Sequence, residues 1–287
     1  DDEGKLFNLV DANKVINKEN WSEDAHGRAI WALGYITNIA SLPSELKEEA
    51  KRIFNKSLGV NQCIESPRAT CFLLIGYHFY QKVANSETNI NLINSLASRL
   101  VDLYKENSTK NWNWFEPYLT YDNSKLPESL FYAYLATKNA KYREIATSSL
   151  NFLISTCFEK NIFFPIGQQG WYLKGKERAY FDQQPIEASS MVQTLLVAHQ
   201  VTGDQKYLDD SVRAFNWFLG DNMLKQALYN EMTGGCYDGL GKTSININQG
   251  AESTISYILA RLSLEEELSN SRKQIPVTPV QNHLQLS

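Results

Sequence analysis

The segment Arg68–Ala84, RATCFLLIGYHFYQKVA, says most about the fold of this chain. It is apolar around nearly its whole circumference, and Pro67 immediately before it suits the first turn of a helix. The segment from Asn89 to about Glu106 that follows is amphipathic and charged. A helix that is apolar all round must be buried on all sides, whereas an amphipathic helix covers a surface. The sequence therefore predicts a buried helix followed by a surface helix.

The same alternation of helix types continues along the chain. Predicted apolar helices begin near Asp24, Pro67, Leu126, Pro185 and Ala251, and predicted amphipathic helices begin near Ser44, Asn89, Lys141 and Asp204. Repetition of a buried helix, a short turn and a surface helix makes a ring of helical hairpins. We therefore predict an all-α protein, an α/α toroid of five to six helical hairpins, with an open α-solenoid as the main alternative.

The predicted toroid domain spans residues 21–268. Residues 1–20 form a polar segment that precedes it. Residues 269–287 show no helical period and are predicted to be an extended or mobile tail.

Composition excludes several classes of function. The 287 residues are 43% hydrophobic, enough for a substantial core in one large domain or two smaller ones. A net charge of −4, without a long run of one sign, argues against nucleic-acid or membrane-surface binding. No apolar run approaches the roughly 20 residues that cross a bilayer. No secretory signal is visible, and the four cysteines lack zinc-binding spacing, so we expect a cytoplasmic protein with buried, reduced thiols.

The segment Trp112–Glu128, WNWFEPYLTYDNSKLPE, combines aromatic rings with carboxylates and amides. Sugars present C–H faces that pack on aromatic rings, and hydroxyls that hydrogen-bond to acids and amides. Trp114 and Glu116 lie together in this segment, and Glu128 follows in the first turn of the next predicted helix. The alternative is that these aromatics anchor a loop in a large core.

Similar mixtures of polar and aromatic residues precede or open the other predicted inner helices. The substrate-binding candidates are Asp24, Arg28, Trp114, Glu116, Glu128, Asp182, Gln184, Tyr237, Asp238, Gln249 and Glu252. If the inner helices run parallel, these residues meet at one end of the ring, where helix amino termini present free N–H groups. The alternative for each acidic or amide side chain is a helix cap, and for the arginine a structural ion pair.

Two carboxyl groups are the best candidates for catalysis. Cleavage of a glycosidic bond needs an acid and either a base or a nucleophile. Asp122 lies beside aromatics just ahead of a helix, and Glu187 lies one turn inside an otherwise apolar helix. Burial there would raise the Glu187 pKa towards that of a proton donor, although a glutamate bound to a cap in the core is the alternative.

No metal or cofactor is predicted for this chemistry. The glycine-rich loop Gly234–Gly241 lacks the strand and helix that flank a phosphate-binding loop, so tight turns at the rim of the site are expected there. The four histidines are scattered along the chain and do not form a metal-ligand set.

Several motifs resemble a known family. The segments EDAHGRAIWALG, WNWFEPYLTYDNSKLPESL, FDQQPIEASSMV, TGDQKYL and TGGCYDGL…NQGAEST are similar to a bacterial family of six-hairpin glycosidase-like proteins, often associated with glycosyltransferases. The resemblance implies an α/α toroid, a carbohydrate-related role and a cavity lined by the acidic positions named above. The chain departs from a full ring in having four clear outer helices against five inner ones, with an irregular region from Asp221 to Asn248.

The favoured function is a glycoside hydrolase that acts on an oligosaccharide or glycoconjugate through paired carboxyl groups. We expect inversion of configuration, because a wide toroid mouth has room for a water molecule between acids on different hairpins. One alternative is a non-catalytic glycan-binding or scaffold domain that works with a glycosyltransferase. Another is a sugar epimerase or isomerase, which usually needs positioned histidines, whereas only His26 lies in a candidate loop.

Overall fold

Ten helices dominate the computed structural model, which describes residues 1–19 and 21–274. They are α1 (Glu23–Ile36), α2 (Ser44–Lys56), α3 (Leu58–Asn61), α4 (Pro67–Gln81), α5 (Glu87–Asn107), α6 (Lys125–Thr137), α7 (Ala140–Cys157), α8 (Pro185–Thr202), α9 (Gln205–Asn216) and α10 (Ala251–Gln274). Eight two-residue strands join them: β1 (Tyr118–Leu119), β2 (Phe158–Glu159), β3 (Ile162–Phe163), β4 (Tyr172–Leu173), β5 (Tyr229–Asn230), β6 (Gly235–Cys236), β7 (Gly239–Leu240) and β8 (Ile245–Asn246). The strands form four antiparallel pairs, β1 with β4, β2 with β3, β5 with β6, and β7 with β8.

The helices form two layers. In the inner layer α1, α4, α6, α8 and α10 pack side by side in that order, and in the outer layer α2, α5, α7 and α9 pack against α1, α4, α6 and α8. The segment Arg68–Ala84 behaves as predicted, because α4 is buried continuously from Arg68 to His78. The α/α toroid is therefore confirmed, and it follows from helices whose apolar surfaces need partners on every side.

Small residues let α1 and α4 pack with their backbones in contact. A methyl group added at Gly34 would lie 2.2 Å from the carbonyl oxygen of Gly76, and one added at Gly27 would lie 2.9 Å from that of Ala69. Side chains would force these helices apart. The close packing positions the first turns of α1, and hence Asp24 and Arg28, against the middle of the molecule.

The ring departs from regular hairpins between α9 and α10. Two antiparallel β-hairpins occupy this region, as the irregular sequence from Asp221 to Asn248 suggested. Within residues 21–274, α1 and α10 do not pack extensively against each other, so the ring has an open side. The prediction that α10 is buried all round needs correction. It leaves Ile255, Ile258, Leu259 and Leu262 between 38% and 58% exposed.

The boundaries also differ from those predicted. Helix α10 continues to Gln274, so residues 269–274 are helical rather than extended. The predicted extended conformation of residues 275–287 lies outside the described residues. All four cysteines are free, and Cys71, Cys157 and Cys236 are buried. No described helix is both long enough and apolar enough to cross a membrane.

Candidate active site at the amino ends of the inner helices

A cavity of about 270 Å³ lies where the inner helices begin. Its wall consists of Asp24, Arg28, Tyr121, Gln168, Trp171, Gln184, Ile186 and Glu252. Asp24 and Arg28 are in the first turns of α1, Gln184 is the amino-terminal cap of α8, and Glu252 is in the first turn of α10. The amino ends of three inner helices therefore meet at one cavity, the arrangement expected of parallel inner helices.

Arg28 connects the cavity wall to the layer beneath it. The Ser22 side chain caps α1, which places Asp24 and Arg28 one turn apart on the same face of the helix. Arg28 Nε donates to Asp24 Oδ2 at 2.8 Å, and Nη2 donates to Asp122 Oδ2 at 2.7 Å. The guanidinium also lies over the Phe72 ring, 4.2 Å from its centre. Two carboxylates and the Phe72 ring therefore fix the position of the Arg28 guanidinium.

Asp122 and Glu187, the predicted catalytic pair, lie next to each other but under the wall. Asp122 is fully buried, and its backbone has a φ of +51°, a left-handed conformation that aspartate tolerates better than most residues. Its backbone N–H donates to Glu187 Oε1, and Asn123 Nδ2 donates to Glu187 Oε2 at 3.2 Å. Glu187 thus holds the turn at Asp122 and Asn123, just ahead of α6.

Burial raises the pKa of Glu187 to about 8, and the neighbouring negative charge of Asp122 adds to the effect. The hydrogen bonds from the Asp122 N–H and from Asn123 act in the opposite direction, as does the charge of Arg68. A carboxyl group in an apolar environment beside another carboxylate keeps its proton more readily than it does in water. Glu187 is therefore mainly protonated at neutral pH.

This raised pKa predicts a pH-dependent effect of Glu187→Gln on stability. Between the ordinary pKa of 4.5 and the folded value of about 8, the unfolded chain has lost the Glu187 proton while the folded protein retains it. Deprotonation thus favours unfolding, and the wild-type protein should lose stability relative to the variant as pH rises through this interval. Urea unfolding of both proteins across it measures the difference. A difference that stays constant with pH would contradict the raised pKa.

Three predicted binding residues belong to the core instead of the cavity, which corrects the expectation for them. Trp114 is fully buried against Phe115, with ring centres 5.3 Å apart. Glu116 is 4% exposed and accepts two hydrogen bonds from Arg68, and Glu128 is 2% exposed and accepts one from Lys125. These aromatic and acidic side chains anchor the loop before α6 and the start of that helix.

The structure does not place Asp182, Tyr237, Asp238 or Gln249 on the cavity wall. They lie among the β-hairpins near the site, where Tyr237, Asp238 and Gln249 form hydrogen bonds. Asp238 Oδ1 accepts hydrogen bonds from the Gly250 N–H at 2.7 Å and from Ser253 Oγ at 2.6 Å, so it anchors the start of α10. The Tyr237 hydroxyl accepts a hydrogen bond from Asn230, and Gln249 Oε1 accepts one from Thr233 Oγ1. Asp182 lies beside Gly239. Tight turns need these bonds because few backbone groups can pair there.

Four wall residues were not predicted: Tyr121, Gln168, Trp171 and Ile186. The pairing of β1 with β4 brings the loop at Trp171 beside the loop at Tyr121. The Gln168 side chain hydrogen-bonds to Gln184 at 2.5 Å. A local signal did exist in Gly167–Trp171, GQQGW, where glycines flank two amides and precede an aromatic residue.

The described histidines and acidic residues do not form a further centre. His26 is buried, with Nε2 2.8 Å from Asn61 Oδ1 and Nδ1 accepting from the Leu6 N–H. His78 is buried within α4, and burial lowers its pKa to about 3. Across residues 1–19 and 21–274, no three histidine, cysteine, aspartate or glutamate side chains group as a metal site requires.

No family model and no curated protein sequence matches this chain. Solved structures do match it. A D-mannose isomerase gives a TM-score of 0.67 at 14% identity, covering 95% of this chain and 78% of the other. A sugar epimerase from a ruminal bacterium gives 0.66 at 12% identity, covering 97% and 82%. An unsaturated glucuronyl hydrolase from Bacillus sp. GL1 gives 0.64 at 13% identity, covering 88% and 69%. The chain therefore has the α/α-toroid fold of these structures.

Proposed function

We propose that this protein is a carbohydrate-active enzyme of the glycoside hydrolase type. The observation that carries the proposal is that Asp24 and Glu252, from the first and last inner helices, line one cavity together with Tyr121 and Trp171. Two carboxyl groups beside aromatic rings are the components that acid–base cleavage of a glycosidic bond requires. In this proposal one of these carboxyl groups protonates the leaving oxygen and the other activates water.

The remaining wall residues suit the recognition of a sugar. Gln168 and Gln184 offer amide donors and acceptors for hydroxyl groups, and the Trp171 ring offers a flat face to sugar C–H groups. Trp171 thus takes the role that the sequence suggested for Trp114. The volume of about 270 Å³ is slightly below the usual range for sites of drug-sized ligands, so one sugar ring is the expected occupant.

Asp122 and Glu187 support the wall in this proposal. Asp122 shares the Arg28 guanidinium with Asp24, and Glu187 holds the Asp122 backbone in place. Asp122 Oδ1 is buried and has no hydrogen-bond partner among the described residues. A carboxyl group that lies at this depth and accepts from Arg28 at 2.7 Å acts on the position of Arg28, and through Arg28 on Asp24. We therefore propose that both are positioning residues.

Two other functions are tested by the same experiment. The structural neighbours include an epimerase and an isomerase, but no histidine of the described residues lines the cavity to act as their base. A glycan-binding domain that works with a glycosyltransferase would use the same aromatic and amide wall without any turnover.

The test is a panel of glucosides, mannosides and galactosides in both anomeric forms, together with the free sugars glucose, mannose and galactose. Release of a free sugar supports the hydrolase, and the anomer that forms first, followed by NMR, reports inversion or retention. We propose inversion, because the two wall carboxyl groups come from the first and last helices of the inner layer. Conversion of one free sugar into another would establish the isomerase instead, and binding without turnover would establish the glycan-binding domain.

A further inference from the structure

We infer that the cavity accepts uncharged sugars and discriminates against uronic acids, with Glu252 as a residue that sets this specificity. This inference rests on the proposed function, because it assumes that the cavity binds a sugar. It separates neutral substrates from the anionic ones that the name of the glucuronyl hydrolase implies for that neighbour.

The cavity wall has more acidic groups than basic ones. Of the described residues that line the cavity, Arg28 is the cation, and its Nε and Nη2 already donate to the carboxylates of Asp24 and Asp122. Glu252 is exposed at the start of α10 and faces the same cavity. The other wall side chains, including Gln168 and Trp171, carry no charge. With Asp122 beneath the wall, three acidic groups surround this one cation, so acidic groups still outnumber it when one of them carries the catalytic proton.

The cationic side chains behind the wall, Arg68 and Lys125, are also already paired with carboxylates. Arg68 is 4% exposed and pairs with Glu116 at 2.7 Å, and Lys125 is 2% exposed and pairs with Glu128 at 2.8 Å. Among the side chains that line the cavity, a uronate would therefore meet only a cation that already binds two carboxylates. A carboxylate that leaves water without a partner loses much of its solvation free energy and gains nothing in return.

A neutral sugar can form favourable hydrogen bonds with the same wall. Its hydroxyl groups can donate to the carboxylates of Asp24 and Glu252 and can exchange hydrogen bonds with Gln168 and Gln184. Conversion of its CH₂OH group to a carboxylate replaces a donor by a negative charge. At the short distances inside one sugar-sized cavity, repulsion between like charges is expected to weaken binding about tenfold.

The experiment compares matched ligands. Methyl glycosides of glucose, mannose and galactose are titrated against the 287-residue chain by saturation-transfer NMR, each beside its uronic-acid counterpart. We expect the neutral member to bind about tenfold more tightly at about 0.01 M salt and the ratio to shrink at about 1 M salt, because the Debye length falls from about 30 Å to about 3 Å. If the ratio of the two affinities does not change with salt concentration, the preference for the neutral sugar is not electrostatic in origin.

Glu252→Gln tests the specificity residue, and Glu45→Gln is its matched control. Both glutamates are exposed and lie in the first turn of a helix, but Glu45 belongs to outer helix α2 and does not line the cavity. The two variants lose the same favourable interaction with a helix amino terminus. We expect Glu252→Gln to reduce the preference for the neutral sugar several-fold, and Glu45→Gln to leave it unchanged.

The possible outcomes separate this inference from the proposed function. If a uronate binds as tightly as its neutral partner or more tightly, the carbohydrate function stands and the inference falls. If Glu252→Gln and Glu45→Gln behave alike, Glu252 does not set the specificity. If neither the neutral nor the anionic sugars bind, the proposed function itself is overturned, and the inference falls with it.

Discussion

Asp24→Asn is expected to lower kcat by about 10²–10⁴-fold on any glycoside that the wild-type protein cleaves, the usual contribution of general acid–base catalysis. The asparagine keeps the shape of the side chain and can still accept the hydrogen bond from Arg28 Nε, which spans 2.8 Å in the wild-type protein. It cannot take up or release the proton. Sugar affinity, measured by NMR titration, should therefore remain within a few-fold of the wild-type value.

Asp209→Asn is the control for this prediction, because Asp209 is exposed on outer helix α9 and lies outside the cavity. It should leave kcat unchanged. Asp122→Asn should also lower kcat and should shift the pH–rate profile, because it removes one of the two negative charges that flank Arg28. Full activity in Asp24→Asn would exclude Asp24 from the chemistry, and an unshifted profile in Asp122→Asn would leave Asp122 a merely structural role.

Arg68→Met is expected to destabilise the fold by about 3–5 kcal/mol, the usual cost of removing one partner of a buried ion pair. Arg68 Nη1 donates to both Glu116 oxygens, at 2.9 Å and 2.7 Å, and the other nitrogens donate to the Tyr121 carbonyl oxygen and to Thr120 Oγ1. Methionine fills much of the same volume but leaves the Glu116 carboxylate buried without its cation. Urea unfolding near neutral pH measures the loss.

Arg52→Met is the matched control, because Arg52 makes a similar pair with Glu49 on the exposed surface of α2. Exposed ion pairs contribute little to stability, so this variant should unfold almost as the wild type does. The double variant Arg68→Met with Glu116→Leu should recover much of the stability, since an apolar pair avoids the unpaired charge. Equal effects of Arg68→Met and Arg52→Met would show that burial does not govern the Arg68 pair.

The layered helical architecture follows from the sequence alone. Helix α4 is apolar all round, whereas α5 is amphipathic. This difference depends on residues three or four positions apart, so it can be read directly from the sequence. Caps and breakers are equally local, such as Pro67 at the start of α4 and Gly203 after α8. These patterns also place Asp24, Arg28, Gln184 and Glu252 at the beginnings of inner helices.

The tertiary structure decided which of these side chains reach the cavity, because that depends on packing between segments far apart in the sequence. Trp114 and Trp171 look equally suited to bind a sugar, but the loop before α6 turns Trp114 into the core, while the β1–β4 pairing brings Trp171 to the wall. The hydrogen bond from Arg28 to Asp122 joins residues that are 94 positions apart in the chain. No local pattern encodes such a contact, since it exists only when α1 and the loop before α6 pack together.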